Sequence, residues 1–280
     1  MGSTRRTLSP GNAAAHRALP HYRTIEAAGA DKDWLVMVHG ASQHLGIFCS
    51  QVEAFQGHYR ILLIDLPGHG GSESIVGPYG LVEYAGSVRA VLDHIGVRQM
   101  HFWGTHTGAG VGLLLATGET GGRFKSLILD GAVLPGVELP SVGAAFSRAR
   151  ATARSGGIEA ARREWFDTAE WFDVMRTNPT ICRAAEHWSI IAGFAGGPWL
   201  DELQPESVPP IEGRLSSVKM PILLINGEHD LADFRTIAKR LASLLADARQ
   251  YEVPRGGGFP LWEFPHEVNA RVSDFLRLMD

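Results

Sequence analysis

The sequence predicts an α/β fold, in which helices cover both faces of a mostly parallel central sheet. Short apolar runs of strand length alternate with segments of helical periodicity along the chain. The runs are almost continuously apolar, which is typical of strands buried on both faces of a parallel sheet. The 280 residues suffice for one such domain with an insertion, and the 33 glycines allow tight turns between strands and helices.

Six strands are expected, because each apolar run leads within two residues into a glycine, aspartate or proline. They lie at residues 34–38, 60–64, 99–103, 126–129, 221–225 and 250–253. Three apolar stripes at helical spacing predict helices whose apolar sides face the core, and the first of them stops at Gly96. These helices lie at residues 84–95, 234–245 and 268–279.

The rhythm changes between about Pro135 and Leu215, where no strand-like run occurs and helical segments are broken by glycine and proline. We call this segment the helical insertion. The sequence therefore predicts three parts: a flexible N-terminal tail at residues 1–20, an α/β core at 21–134 and 216–280, and the all-helical insertion at 135–215.

Composition favours small-molecule chemistry. The net charge is only -4 and no dense basic run occurs, so neither nucleic acid nor an anionic membrane is expected as a partner. Cys49 and Cys182 are far apart and outside any metal-ligand spacing, which indicates unpaired thiols, no metal and a reducing compartment. Because Arg5 and Arg6 precede no apolar segment, we expect a cytoplasmic protein. The oligomeric state is left open.

Five short motifs occur in a fixed order after the predicted strands. They are VHGA at 38–41, DLPGHG at 65–70, GTHTG at 104–108, NGEHD at 226–230 and PRGGGFP at 254–260. Together they resemble the α/β-hydrolase family from about Trp34 to the C-terminus, apart from the helical insertion. The resemblance implies the α/β-hydrolase fold, with the insertion as a cap over the active site in which substrate choice lies. It also places the GTHTG motif at the sharp strand-to-helix turn called the nucleophile elbow.

Two residues depart from the family pattern. His106 stands where the family has its nucleophilic serine, and Gly258 stands where the catalytic histidine would fall, whereas Asp230 matches the catalytic acid. Without a serine hydroxyl and an imidazole to take its proton, the acyl-enzyme route of a Ser-His-Asp hydrolase cannot run. We therefore do not expect an ordinary serine esterase.

Side-chain reach predicts a substitute for the lost triad. An imidazole at the elbow extends about 3 Å further than a serine oxygen, and a glycine at position 258 leaves space for it. We hypothesise that His106 leans into this space and pairs with Asp230, which would make it a general base. Asp130, after the strand at 126–129, is the rival acid. The alternative is that the elbow has decayed and His106 is an inert polar residue.

The resemblance further implies an oxyanion hole formed by the main-chain N–H groups of Ala41 and Thr107. Such donors stabilise an enolate or a carbonyl oxygen as well as a tetrahedral intermediate, so carbonyl chemistry survives the loss of the serine. Aromatic residues concentrated in the helical insertion, among them Trp188, suggest an apolar pocket. His39 and Gly258 are further candidates to line that pocket, although a structural role for His39 is favoured.

Two functions from different classes follow. The first is an enzyme that needs no cofactor and acts on a small apolar carbonyl or ester-like metabolite through His106 and Asp230. Its reaction would be hydrolysis or a non-hydrolytic step such as C–C cleavage, isomerisation, cyclisation or oxygenation. The second is a catalytically silent protein whose capped pocket binds a small ligand.

Overall fold

A computed structural model describes residues 18–27, 32–181, 183–208 and 210–279. Its centre is a seven-stranded sheet with the order β1-β3-β2-β4-β5-β6-β7, in which only β1 runs antiparallel to its neighbour. The strands are β1 (Tyr22–Ile25), β2 (Trp34–Val38), β3 (Arg60–Ile64), β4 (Met100–Thr105), β5 (Phe124–Asp130), β6 (Ile222–Gly227) and β7 (Ala248–Val253). The predicted fold class is confirmed, whereas the greater part of the expected tail, residues 1–17, lies outside the described residues.

All six expected strands are present, with ends that differ by up to two residues, but β1 was missed. Its sequence, Tyr-Arg-Thr-Ile, has no continuous apolar run, because it is a partly exposed strand at the edge of the sheet. The inner strands have the opposite character. In β2, Leu35 and Met37 belong to one buried cluster while Val36 and Val38 belong to another, so both faces of the sheet carry a core.

Eleven α-helices occur in the described part of the chain. They are α1 (Cys49–Phe55), α2 (Leu81–Ile95), α3 (Thr107–Ala116), α4 (Pro140–Gly156), α5 (Ile158–Thr168), α6 (Asp173–Thr177), α7 (Ala184–Ala192), α8 (Gly197–Leu200), α9 (Ala232–Leu244), α10 (Pro260–Glu263) and α11 (Pro265–Arg277). The three expected helices correspond to α2, α9 and α11, and Gly96 ends α2 with a φ of 78°. None of the described helices combines the length and apolarity needed to cross a membrane.

The helical insertion joins β5 to β6 and contains α4 to α8 with no strand among its described residues. Its inner side is aromatic. Trp165 contacts Phe146, Trp171 and Trp199, with ring centroids 4.9 to 5.3 Å apart. The three tryptophans belong to the same hydrophobic cluster as strand residues such as Leu35 and Met37, and Phe146 packs against it. The insertion therefore packs on the sheet domain rather than standing apart from it.

A buried carboxylate joins the loops that follow β2 and β3. Asp65 accepts hydrogen bonds from the main-chain N–H groups of Leu45 (2.7 Å) and Gly71 (2.9 Å), and its Oδ2 lies 2.7 Å from His21 Nδ1. Burial opposes the charge of Asp65, but His39 and these donors outweigh it and hold its pKa below the usual value. The backbone that carries Ala41 is thereby fixed next to β2.

Candidate active site

The turn between β4 and α3 is a strained elbow with His106 at its tip. His106 has φ 48° and ψ -108°, a conformation that a residue with a side chain rarely adopts. The glycines on either side make the close approach possible, since a Cβ on Gly108 would lie 2.0 Å from the Val38 carbonyl oxygen. The His106 N–H donates to the Asp130 carbonyl oxygen at 2.8 Å. The elbow geometry that the sequence predicted is thus present, with an imidazole at its tip.

The His106 ring is enclosed on most sides and lines a small cavity. Its Nδ1 lies 3.1 Å from the Thr105 hydroxyl, and the rings of Phe234 and Phe259 are centred 4.7 and 4.8 Å away. Nε2 is buried and makes no hydrogen bond to any described residue. On the remaining side stands Gly131, where a Cβ would lie 2.5 Å from the ring. A glycine at this position is therefore what makes room for a histidine at the elbow.

Burial lowers the pKa of His106 to about 4, and an opposing contribution from the Gly258 main chain does not offset it. The imidazole is consequently neutral at neutral pH. A neutral imidazole can accept a proton, but it is a weaker base than one that a carboxylate supports.

The expected pairing of His106 with Asp230 is not made in the structure. Asp230 instead accepts hydrogen bonds from the Asn226 amide and the Leu231 N–H, both at 2.7 Å. The space expected beside Gly258 is also filled, because a Cβ there would lie 2.4 Å from the Cβ of Trp171 and 2.8 Å from its carbonyl oxygen. A segment of the helical insertion thus occupies the place into which His106 was expected to lean.

Three carboxyl groups, those of Asp130, Asp230 and Glu263, are buried close to one another beneath this segment. Burial raises the pKa of Asp230 to about 7 and that of Glu263 to about 8. Burial and the charges of the other two raise the pKa of Asp130 well above its ordinary value, against an opposing contribution from the Leu261 main chain. The carboxyl group of Asp130, the rival acid, makes no hydrogen bond to His106.

Two adjoining chambers lie between the elbow and the helical insertion. The inner chamber, of about 50 Å³, is lined by His106, Ala41 and Thr107 together with apolar side chains from the insertion. Neither the Ala41 N–H nor the Thr107 N–H donates a hydrogen bond to another described group. The predicted oxyanion-hole residues and His106 therefore meet at one small cavity, at the N-terminus of α3.

Other candidates are placed elsewhere. Trp188 stacks against the guanidinium of Arg163 at 3.7 Å and lines neither chamber, so it was wrongly assigned to the pocket. His39 accepts from the Leu66 N–H at 3.0 Å and also stays outside both chambers. Among the insertion aromatics, Trp165 and Trp171 line the inner chamber.

Sequence reasoning missed Phe234 and Phe259, which enclose the His106 ring. Phe234 lies in an apolar stripe that was assigned only to the core. Phe259 follows Gly258 directly in the PRGGGFP motif. The only available signal was this adjacency to the lost histidine position.

Comparisons with known proteins agree with the fold. The family model described as alpha/beta hydrolase fold matches residues 33–152. The structure of MenH from S. aureus superimposes with a TM-score of 0.80 at 22% identity, covering 92% of this chain and 98% of that one. This chain therefore has the α/β-hydrolase fold.

Two curated relatives show how far the sequence similarity extends along this chain. It is 26% identical over 201 residues to 3-oxoadipate enol-lactonase 2 of Acinetobacter baylyi, which is 72% of this chain and 73% of the relative. It is also 26% identical over 266 residues to a 2-hydroxy-6-oxononadienedioate/2-hydroxy-6-oxononatrienedioate hydrolase of Paraburkholderia phymatum, covering 89% and 88%. Relatives named as hydrolases support an α/β-hydrolase enzyme.

The close fit between His106 and Gly131 gives a testable coupling. We expect Gly131→Ala to lower the free energy of unfolding by about 3 kcal/mol, since it adds overpacking against the imidazole to the cost of a positive φ. In a His106→Ala background only the backbone cost of about 1 kcal/mol should remain. Urea unfolding of the wild type, the two single variants and the double variant measures the coupling free energy between positions 106 and 131. A coupling below about 0.5 kcal/mol would contradict the close fit.

Proposed function

We propose that this protein is an enzyme that acts on a small, largely apolar carbonyl or ester-like metabolite. The observation that carries the proposal is the convergence of the His106 imidazole with the N–H groups of Ala41 and Thr107 at one apolar chamber. The relatives named as an enol-lactonase and as a dienedioate hydrolase support a small metabolite. No cofactor is required by this chemistry.

Each group has a role that its environment supports. The two main-chain donors would bind the carbonyl oxygen of the substrate and stabilise the negative charge that develops on it. His106 would accept a proton, either from water that attacks the carbonyl carbon or from a carbon next to it. The Thr105 hydroxyl, 3.1 Å from Nδ1, would hold the ring in place during the transfer. The first proton source gives hydrolysis, and the second gives an enolate that leads to C–C cleavage, isomerisation, cyclisation or oxygenation.

Replacing His106 tests this assignment. We expect His106→Ala to lower kcat by at least about 100-fold on any substrate that the wild type turns over, because general-base catalysis contributes at least that factor. The measurement is a panel of p-nitrophenyl esters and thioesters, with circular dichroism to verify the fold. His229→Ala, at an exposed histidine next to Asp230, is the control and should leave kcat unchanged. Activity that survives in His106→Ala would remove His106 from the mechanism.

A second function, a silent binding protein on the same fold, is favoured by one observation. His106 has no carboxylate partner among the described residues, and its Nε2 is buried. Long incubation of concentrated protein with small carbonyl compounds, followed by mass spectrometry, separates the two functions. A changed product supports the enzyme, whereas a ligand that is retained and recovered unchanged supports the binding protein.

A further inference from the structure

The outer chamber is the larger of the two cavities, with a volume of about 260 Å³. It shares five lining residues with the inner chamber: Ala41, Thr107, Val133, Val142 and Phe146. A ligand whose carbonyl group binds the N–H groups of Ala41 and Thr107 can therefore extend into the outer chamber. Its volume is about five times the 50 Å³ of the inner chamber, which gives room for a chain of several carbon atoms.

Most of the outer wall is apolar or aromatic. Phe194 stacks on the ring of His69 at 5.0 Å, and Leu139 and Trp199 also line the space. Besides Ser42, His69 and Tyr79, which each bond to a main-chain carbonyl oxygen, two polar side chains interrupt this wall: Tyr84 of α2 and Arg150 of α4. A ligand that fills the chamber would lie along apolar surface and meet these two groups.

Tyr84 is a buried side chain whose hydroxyl has no hydrogen-bond partner in the described part of the protein. Only 6% of the residue is exposed, and burial is the main cause of its raised pKa. Arg150 lines the same chamber, and its positive charge acts in the opposite direction on this pKa. The two groups therefore both lie in the wall of the outer chamber.

Arg150 forms no ion pair with any described carboxylate. Glu83 and Asp201 also influence Tyr84, but neither lines the chamber. Glu83 accepts from the Glu206 N–H at 2.9 Å and Asp201 from the Leu203 N–H at 3.2 Å. The chamber thus presents a guanidinium, which can only donate, and a hydroxyl, with no acidic residue among the side chains that line it.

We propose that the outer chamber is a subsite for the carboxylate of an acidic carbonyl substrate, with Arg150 and Tyr84 as the donors that bind it. A guanidinium and a hydroxyl together match the acceptor-only oxygens of a carboxylate. The apolar wall would hold the carbon chain that joins this group to the carbonyl in the inner chamber. The inference rests on the proposed function only in placing the carbonyl at Ala41 and Thr107.

Calorimetric titration with two matched probes tests the subsite without any turnover. The probes are 6-oxoheptanoate, a keto acid, and 6-oxoheptanamide, its uncharged counterpart. We expect the wild type to bind the keto acid more tightly than the amide, and Arg150→Gln to weaken keto acid binding about tenfold while leaving the amide within about twofold. Arg150→Lys should retain part of the preference, and Tyr84→Phe should reduce it.

Arg154→Gln is the control, because Arg154 lies one turn further along α4 and is exposed, as Arg150 is, but lines neither chamber. Equal affinity for both probes, no binding of the keto acid by the wild type, or equal weakening by Arg150→Gln and Arg154→Gln would each overturn the subsite. Failure of the proposed function is a separate result. A protein that binds the keto acid through Arg150 and converts nothing would retain the subsite and lose the enzyme.

Discussion

Gly258→His is expected to destabilise the protein by about 3 kcal/mol or more, although it restores the residue type that the family places there. A Cβ at this position overlaps the Cβ and the main chain of Trp171, and backbone atoms cannot give way as a flexible side chain does. The same clash should prevent His106→Ser combined with Gly258→His from hydrolysing p-nitrophenyl esters. The measurements are the urea midpoint of the single variant and the esterase rate of the double variant.

Gly86→His supplies the control for that substitution. Gly86 lies on the exposed side of α2, where a Cβ would meet no atom within 4 Å. Its replacement should leave the free energy of unfolding within about 1 kcal/mol of the wild type, because an ordinary residue is no worse than glycine in a helix. If Gly258→His proves as stable as Gly86→His, the segment around Trp171 moves freely and the second catalytic position is open.

A rise in pH toward about 8 is expected to destabilise the protein through its buried carboxyl groups. Burial raises the pKa of Glu263 to about 8, and repulsion from Asp230 adds to this, while the Gly257 N–H, which donates to Glu263 at 2.5 Å, opposes it. Between its ordinary pKa and about 8 the folded protein holds a proton that the unfolded chain has released. Stability therefore falls as the pH rises through this range. Asp230 and Asp130 act in the same direction.

Glu263→Gln isolates this effect, since the amide is neutral at every pH. We expect the variant to gain about 3 kcal/mol relative to the wild type between about pH 5 and about pH 9, at about 1.4 kcal/mol per pKa unit with allowance for coupling to the neighbouring carboxyls. Urea unfolding at several pH values measures the difference.

The buried histidines have lowered pKa values and destabilise the folded protein as the pH falls below their ordinary pKa. Because the wild type and Glu263→Gln share these histidines, their effect cancels in the difference between the two stabilities. Glu53→Gln, at an exposed position of α1, is the control and should show no such trend. A pH-independent difference between Glu263→Gln and the wild type would show that the carboxyl is charged in the folded state.

Most of the fold could be predicted because its signals are local. A buried parallel strand must be apolar on both faces, so runs such as 34–38 and 60–64 can be recognised in the sequence. Gly96 marks a helix end because glycine readily adopts the positive φ found there. The edge strand β1 buries neither face fully, and its four residues show neither a continuous apolar run nor a clear alternation. The ends of β4 were misplaced because main-chain pairing continues past the last apolar residue to Thr105.

The candidate active site also has a part that the sequence predicts and a part that it does not. The elbow conformation of His106 depends on Gly104 and Gly108, which each lie only two positions away in the sequence. It was therefore predictable. The partner of His106 was not, because it depends on what fills the space beside Gly258. That space is taken by Trp171, which belongs to an insertion whose placement no local pattern specifies. Arg150 and Tyr84 meet in the outer chamber for equally long-range reasons.

The tight enclosure of the elbow imidazole also bears on how such a site can change over generations. Reversion of His106 to serine would empty the space between Phe234, Phe259 and Gly131, while position 258 would stay blocked by Trp171. A serine triad would therefore require at least two replacements together with movement of the segment that carries Trp171. Variants of this chain with a single replacement at the elbow are expected to lack that triad.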